Sequence, residues 1–264
     1  MAAVLLTYLV LGAAAGVLAG LFGVGGGLII VPALVYSFKA QGVAPDILTH
    51  LAIGTSLATI IFTSINSALE HNKKGAVLWS LVAWLSVGII LGTALGAKTA
   101  ALLNGEHLQK IIGVFAIVMA IKMAFDIGPK QPAQGPSPRK PALLSAGGVI
   151  GWASAIFGIG GGTLTVPFLT WRGVSMQRAV ATSSACGVPI AASGAFMFML
   201  NGWGDPQLPE YSLGFVYLPA MLGIALTSMI FARFGARLAH RLQPKRLKQL
   251  FALLLVSVGT SFFI

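Results

Sequence analysis

The sequence predicts an all-α integral membrane protein made of two inverted repeats, each a glycine-rich, re-entrant helix hairpin followed by three transmembrane helices. Three observations predict this fold. The 264 residues are 56% hydrophobic and only 9% charged, whereas a soluble domain carries roughly a quarter charged residues. A glycine-rich motif occurs twice, and the Lys and Arg residues fall in short segments between apolar runs.

The net charge of +11 is the first feature that needs an explanation. Because the basic residues lie between apolar runs, the tendency of Lys and Arg to stay on the cytoplasmic side explains the charge better than nucleic-acid binding does. A single cysteine excludes an intrachain disulfide. The amino terminus has no basic segment before its apolar residues, so we read it as a first membrane segment and not as a cleaved signal peptide.

Apolar runs divide the chain into two halves. The stretch from Asp126 to Pro141 is rich in proline and polar residues, which is typical of a linker. We therefore predict a first transmembrane repeat over residues 1–126, a cytoplasmic linker over 127–141 and a second repeat over 142–264. The apolar runs cover residues 4–38, 47–69, 76–103, 108–126, 142–171, 179–200, 212–235 and 247–264.

The two halves are repeats of each other. The motif from Gly20 to Pro32 returns 135 positions later, from Ala155 to Pro167. Gly54-Thr55-Ser56 is matched by Ala181-Thr182-Ser183, and Gly96-Ala97-Lys98 by Gly235-Ala236-Arg237. Matches at three places in the same order indicate a duplicated unit.

The first run of each half is too long for one upright helix. Residues 4–38 would form a helix of about 50 Å, against a hydrocarbon core of about 30 Å. The run is either one tilted helix or a hairpin that breaks at the glycines and turns back. A single crossing divides the Lys and Arg residues 6 against 11 between the two faces. A hairpin leaves only Lys39, Lys98 and Lys110 on one face and fourteen on the other, which the positive-inside rule favours.

The hairpin interpretation makes the halves inverted. It places both termini outside the plasma membrane of a bacterium and directs the basic face to the cytoplasm. A basic helix precedes the last run on that face. It could bind anionic lipid, but ordinary topology charge explains it better. Its residues are Arg237, Arg241, Lys245, Arg246 and Lys248.

The glycine motifs predict an anion site. A helix that begins deep in the membrane presents unpaired N–H groups and a partial positive charge, and glycine lets a ligand approach the backbone closely. Two inverted hairpins would aim two such helix starts at one point. Close helix packing is the alternative, and it is our interpretation of Gly88, Gly92 and Gly96. The predicted binding glycines are Gly25, Gly26, Gly27, Gly160, Gly161 and Gly162, with hinges at Gly23, Pro32, Gly158 and Pro167.

Hydroxyl groups on the neighbouring runs extend the predicted site. Thr55, Thr59, Thr63 and Asn66 share one helix face, and the second half offers similar positions. Hydroxyls donate hydrogen bonds to sulfonate or carboxylate oxygens, but helix–helix or intrahelical bonding is equally compatible with them. The predicted hydroxyl ligands are Thr55, Ser56, Thr163, Thr182, Ser183 and Ser184.

The remaining reactive residues predict no metal centre, cofactor or catalytic residue. All six carboxylates fall in loops or at the ends of the runs, so a buried proton relay or metal site has no evident ligands. His50 and His71 are expected at the membrane interface, and Cys186 is expected to be a small core residue. An inside-negative potential drives an anion outward with roughly 2.3 kcal/mol per charge per 100 mV, so export needs no coupling ion.

At these residues the chain resembles the sulfite exporter TauE/SafE family. The resemblance rests on Gly20 to Leu34, its repeat Ala155 to Leu169, the Thr-Ser pairs at 55–56 and 182–183, and Gly235-Ala-Arg-Leu-Ala. It implies transport of sulfite or an organosulfonate such as sulfoacetate. Ala181 replaces the glycine found before the first Thr-Ser pair, so the two halves of the site would differ in width.

We therefore expect a secondary transporter that exports a small sulfur-containing anion by alternating access. The alternative within transport is an uptake permease for a related anion or a metal ion. An intramembrane protease is disfavoured, because Ser193 has no partner base at membrane depth. A scaffold without a substrate is the remaining alternative. The bilayer and the small anion are the expected partners, and the sequence leaves the oligomeric state open.

Overall fold

The computed structural model describes residues 2–22, 26–125, 139–239 and 244–263. It is a helical structure with one very short β-hairpin. Gly23, Gly25, Arg241 and the linker residues 127–138 lie outside the described ranges, as do the side chains of the other basic residues between 237 and 248. The helices are α1 (Ala2–Phe22), α2 (Gly27–Ala40), α3 (Pro45–Lys73), α4 (Trp79–Ala101), α5 (Gly105–Ala124), α6 (Lys140–Phe157), α7 (Gly162–Trp171), α8 (Met176–Asn201), α9 (Leu218–Ala239) and α10 (Pro244–Ser261).

The first apolar run of each half is broken at its glycines. In the first half, α1 ends at Phe22 and α2 begins at Gly27, preceded by Gly26 with φ of 80°. In the second half, Gly158 ends α6 with φ of 63°, and α7 begins at Gly162. Positive φ is a conformation that glycine adopts without steric cost, so the glycines explain both breaks.

The prolines of the motif lie inside the short helices. Pro32 lies within α2 and Pro167 within α7, five residues after each helix begins. Both helices therefore begin at the glycines and not at the prolines. Each proline ring removes one backbone donor, so the helical hydrogen bond to the residue four positions earlier is absent.

The first broken run folds back on itself. Tyr8 in α1 packs edge-on against Phe38 near the end of α2, with ring centroids 6.4 Å apart. Just beyond α2, the Gln41 amide nitrogen donates to the Tyr8 hydroxyl at 2.7 Å. The end of α2 therefore lies beside the beginning of α1, so these two helices form a hairpin.

Equivalent helices of the two halves pack antiparallel. The Ser67 hydroxyl near the end of α3 donates to Ser184 near the beginning of α8 at 3.0 Å, while Gly54 lies against Phe198 at the opposite ends. Gly113 of α5 likewise contacts Gly259 of α10. Small residues at these crossings let the backbones approach closely.

The first helix of each half packs against a helix of the other half. Gly12 and Gly16 of α1 lie against Ile224 and Ser228 of α9, and α4 packs against α6 in the same manner. Gly88 and Gly92 contact the backbone of α6 at Leu144 and Gly148, and Gly96 contacts Trp152. The prediction that these three glycines serve helix packing is confirmed.

Among the described residues, α3, α4, α6 and α8 are long and apolar enough to cross a bilayer, and parts of α1, α2 and α9 are shorter apolar helices. With the exposed apolar side chains of these helices, this indicates a multi-pass membrane protein.

The prediction of an all-α fold needs a small correction. Residues 212–217, placed in an apolar run, form two paired strands, Ser212–Leu213 and Val216–Tyr217, which bring Phe215 against Gly54 of α3.

Candidate functional site

A cavity of about 330 Å³ is lined by residues of α1, α2, α3, α7, α8 and α9, and we call it the central cavity. Its lining includes Gly26 and the three glycines 160–162 together with Ser183 and Ser184. Five of the predicted glycine and hydroxyl positions in the second half thus share one cavity with one from the first half. The rest of its lining is formed by Ala15, Gly16, Ile30, Thr63, Ser64, Asn66, Ser67, Glu70, His71, Val166, Val180, Ser228, Met229, Ala232 and Arg233.

The two glycine breaks touch each other beside this cavity. A Cβ atom built on Gly27 would lie 2.6 Å from the Gly158 carbonyl oxygen, and one built on Gly158 would lie 2.7 Å from Val31 Cγ2. Neither position has room for a side chain. The Ser56 hydroxyl adds a hydrogen bond to the Gly158 carbonyl oxygen at 2.9 Å, so α3 and α2 hold the second break from two sides.

The beginning of α7 faces the central cavity. Gly161 is its N-cap, and Gly160, Gly161 and Gly162 all line the cavity. The first N–H groups of a helix have no intrahelical acceptor and carry partial positive charge, so they attract anions. A Cβ on Gly161 would lie 2.7 Å from the Ser183 carbonyl oxygen, which shows how closely this helix start packs against α8.

A buried hydroxyl next to this helix start has no partner. Ser183 is 1% exposed, lines the cavity, and its Oγ has no hydrogen-bond partner in the described part of the chain. A buried hydroxyl normally pairs, because burying it unpaired costs about 1–3 kcal/mol. Ser183 is therefore a donor available to a ligand at the first turn of α7.

Three other predicted hydroxyls have structural partners away from the cavity. Thr55 Oγ1 accepts from the Tyr217 backbone N–H at 3.0 Å, and Thr182 Oγ1 accepts from the Leu78 N–H at 3.1 Å. Tyr217 and Leu78 immediately precede α9 and α4, so each threonine supports the start of a helix in the other half. Ser56 is bonded to Gly158 as described above. As anion ligands, these three residues stay predictions.

The polar face of α3 divides into two parts. Thr63 and Asn66 line the central cavity, while Thr59 donates within its own helix to the Thr55 carbonyl at 2.9 Å. Ser64 and Ser67, which the periodicity did not single out, also line the cavity. Thr163 is buried without a described partner, and it does not line the cavity.

One end of the cavity is charged. Glu70, His71 and Arg233 line it there, where α3 and α9 approach their ends. Glu70 forms a salt bridge with Lys73 at 2.8 Å, which compensates its charge. Arg233 forms no salt bridge with a carboxylate in the described chain. The sequence placed Glu70 and His71 at the end of a membrane run; the structure adds that they lie at a cavity mouth.

The opposite end of the helix bundle is packed shut. Phe38 and Tyr217 meet edge-on with centroids 5.8 Å apart, and Tyr8 lies 5.9 Å from Tyr217. Both Tyr8 and Phe38 are almost fully buried. The central cavity therefore has one described approach, from the charged end.

His50 and Cys186 lie away from the central cavity. His50 is buried with its ring nitrogens 3.1 Å from the Asp46 carbonyl oxygen and 2.9 Å from that of Ala100, so it connects α3 to the end of α4. Cys186 is buried in the core cluster, as expected for a small core residue. The end of α4 and Phe215 cover the His50 ring, and its location at the membrane interface stays a prediction.

Comparison with known proteins gives one family. The family model described as sulfite exporter TauE/SafE matches residues 8–262. The chain is 42% identical to a probable membrane transporter protein of Haemophilus influenzae over 98% of each chain. It is 28% identical to one of Methanocaldococcus jannaschii over 95% of this chain and 92% of the relative, and 26% identical to YunE of Bacillus subtilis over 95% and 94%. No solved structure matches.

Proposed function

Because the chain belongs to the sulfite exporter TauE/SafE family, we propose that it is a secondary transporter that exports a small sulfur-containing anion by alternating access. Sulfite or an organosulfonate such as sulfoacetate is the proposed cargo. The single observation that carries this proposal is the central cavity, which joins a helix start and an unpaired buried hydroxyl to a charged opening. Membership of a transporter family implies that the protein is not an enzyme.

The shape of the cavity supports binding of an anion from the cytoplasm. At its deep end, the α7 N-terminus and Ser183 offer N–H and O–H donors. At its open end, Arg233 and Glu70 line the cavity and Lys73 is bonded to Glu70, and the positive-inside rule assigns Arg233 and Lys73 to the cytoplasm. We infer that the structure represents an inward-open state in a bacterial plasma membrane, with both termini outside.

The arrangement of the helices supports an inverted repeat. The equivalent helices α3 and α8 run antiparallel across each other's midpoint, and α5 and α10 do the same. Thr55 accepts a hydrogen bond from the backbone just before α9, and its counterpart Thr182 accepts one from the backbone just before α4, as the same symmetry would require. A twofold axis in the membrane plane relates such halves, and transporters of this kind alternate by rocking one unit against another.

The packed end supports alternation between two openings. Tyr8, Phe38, Tyr217 and the Gln41 side chain close the bundle on the side opposite the charged mouth. For an outward-open state, these contacts would separate while the charged end closes. The membrane potential favours movement of an anion in that direction by roughly 2.3 kcal/mol per charge per 100 mV.

Reconstitution tests the proposal directly. Purified protein in liposomes should catalyse saturable efflux of radiolabelled sulfite or sulfoacetate. The efflux should be faster when the membrane potential is negative inside the liposomes. Taurine, a zwitterion at neutral pH, serves as a sulfonate without net charge. Flux no greater than in protein-free liposomes for both anions would contradict the proposal. Flux of nickel or cobalt instead would indicate metal transport.

A further inference from the structure

We propose that the anion site is one-sided: the head group binds at the start of α7 beside Ser183, whose buried hydroxyl has no partner in the described chain, while the matching hydroxyl of the first half, Ser56, is already bonded to the Gly158 carbonyl. This inference rests on the proposed function and specifies which repeat holds the anion. The ligand class is a single trigonal or tetrahedral oxyanion head group, as in sulfite or a sulfonate. One chain therefore binds one anion.

Gly187 lets polar groups lie close together beside the start of α7. A Cβ atom built on Gly187 would lie 2.5 Å from Ser64 Oγ and 3.8 Å from the Gly161 backbone nitrogen. The absence of a side chain at this position therefore lets the Ser64 hydroxyl pack against α8 near the N-cap of α7. Gly161, Ser64 and Ser183 all line the central cavity, so these groups share one cavity with the charged mouth.

Ser183 adds an independent observation. Its buried Oγ lies 3.4 Å from a Cβ built on Gly161 and has no hydrogen-bond partner within the described chain. Its counterpart in the first half, Ser56, is satisfied by the Gly158 carbonyl. The second half thus keeps an unused donor at its helix start, and hydrogen bonds to an anion are about twice as strong as neutral ones.

The first half differs at the position that matches Gly187. The offset of 127 that aligns Thr55 with Thr182 also aligns Ile60 with Gly187. Ile60 is fully buried, with Cδ1 3.1 Å from a Cβ built on Gly27 and Cγ2 3.2 Å from one built on Gly160. An apolar side chain therefore lies between the two breaks, whereas the matching glycine of the second half lies against the Ser64 hydroxyl.

The test uses two substitutions that change the polar groups at the start of α7 in different ways. Ser183→Ala removes a hydroxyl that bonds to nothing in the described chain, so the unliganded protein should melt at an unchanged or higher temperature. The methyl group of Gly187→Ala would lie 2.5 Å from Ser64 Oγ and 3.2 Å from Ser64 Cβ, so it should displace the Ser64 hydroxyl from its position near the N-cap of α7. Gly148→Ala is the matched control, because a Cβ there would meet nothing closer than 3.9 Å.

Isothermal titration of the purified protein with sodium sulfite and with methanesulfonate gives the readout. We expect one anion per wild-type chain, a Kd raised by about tenfold or more in Ser183→Ala and Gly187→Ala, and wild-type affinity in Gly148→Ala. Wild-type affinity in both test variants, or two anions per chain, would overturn the one-sided site while the proposed function stands. Absence of binding and of flux in the wild type would remove both.

Discussion

At the residue scale, similar hydroxyl side chains have three different roles. Thr55 and Thr182 accept hydrogen bonds from the backbone just before α9 and α4. Thr59 donates to its own helix, and Ser183 has no hydrogen-bond partner within the described residues. Sequence spacing treats these residues alike, but their contacts separate the hydroxyls that are bonded within the protein from the one that we propose as a ligand.

Replacing Thr55 or Thr182 with valine should weaken the fold and leave anion affinity unchanged. Valine has the same shape without the oxygen, so the Tyr217 or Leu78 N–H would lose its acceptor, which costs about 1–3 kcal/mol. Thermal unfolding in detergent and sulfite titration measure the two effects. Thr59→Val, which removes only an intrahelical bond, is the control. A loss of affinity with unchanged unfolding temperature would instead place these threonines in the site.

Arg233→Gln should slow capture of the anion from the cytoplasmic side. Arg233 lines the open end of the cavity without a direct carboxylate partner in the described chain, so its charge raises the local anion concentration. The apparent KM for efflux should rise severalfold, and its dependence on ionic strength should weaken. Arg178→Gln, on an exposed residue outside the cavity lining, is the control. An unchanged KM and salt dependence would exclude this role.

At the element scale, glycine determines where helices end and how closely they pack. The breaks before α2 and α7 use positive φ at Gly26 and Gly158, whereas Gly88, Gly92 and Gly96 keep helical geometry and lie against α6. A single residue type thus both interrupts the long apolar runs and brings the halves into contact.

The α4–α6 contact can be tested with two alanines. Gly92→Ala would place its methyl group against the Gly148 carbonyl oxygen, a backbone atom that cannot move aside, while Gly148→Ala has open space. We expect Gly92→Ala to lower the unfolding temperature and Gly148→Ala to leave it unchanged or slightly higher. Equal effects of the two substitutions would show that the close crossing does not limit stability.

The breaks and the packing glycines could be predicted from the sequence, because an apolar run longer than the bilayer must bend where glycines permit it. The sequence did not determine which residue begins α2 and α7, since both glycine and proline can begin a helix. The division of the hydroxyls could not be predicted. Thr63 and Thr55 share one helix face, and only contacts with the other half place the first in the cavity and the second against Tyr217.

At the scale of the whole molecule, the two halves are similar in backbone and different in chemistry. Matched helices cross antiparallel, and matched threonines support matched helix starts. Ile60 and Gly187 break that symmetry beside the cavity, and the aromatic contacts of Tyr8, Phe38 and Tyr217 occur at the closed end. In the proposed transporter, matched helices with an asymmetric site would alternate the openings while holding one anion.

Crosslinking the closed end should stop transport without preventing binding. Cysteines replacing Tyr8 and Gln41, in a Cys186→Ala background, would be joined by a short bifunctional thiosulfonate, because these side chains are in contact. We expect sulfoacetate affinity from the charged side to persist while sulfoacetate efflux is lost, and reductant should restore efflux; sulfite is avoided because it cleaves disulfides. Undiminished efflux from the crosslinked protein would show that this end does not open during transport.

The most direct measurement is the position of a bound anion at the glycine breaks. Selenite, a heavier analogue of sulfite, can be located by its anomalous scattering in crystals of the wild-type protein. We expect one selenium peak per chain, within hydrogen-bonding distance of the Gly161 N–H and Ser183 Oγ. A peak remote from the start of α7, or absence of any peak at saturating selenite, would contradict it.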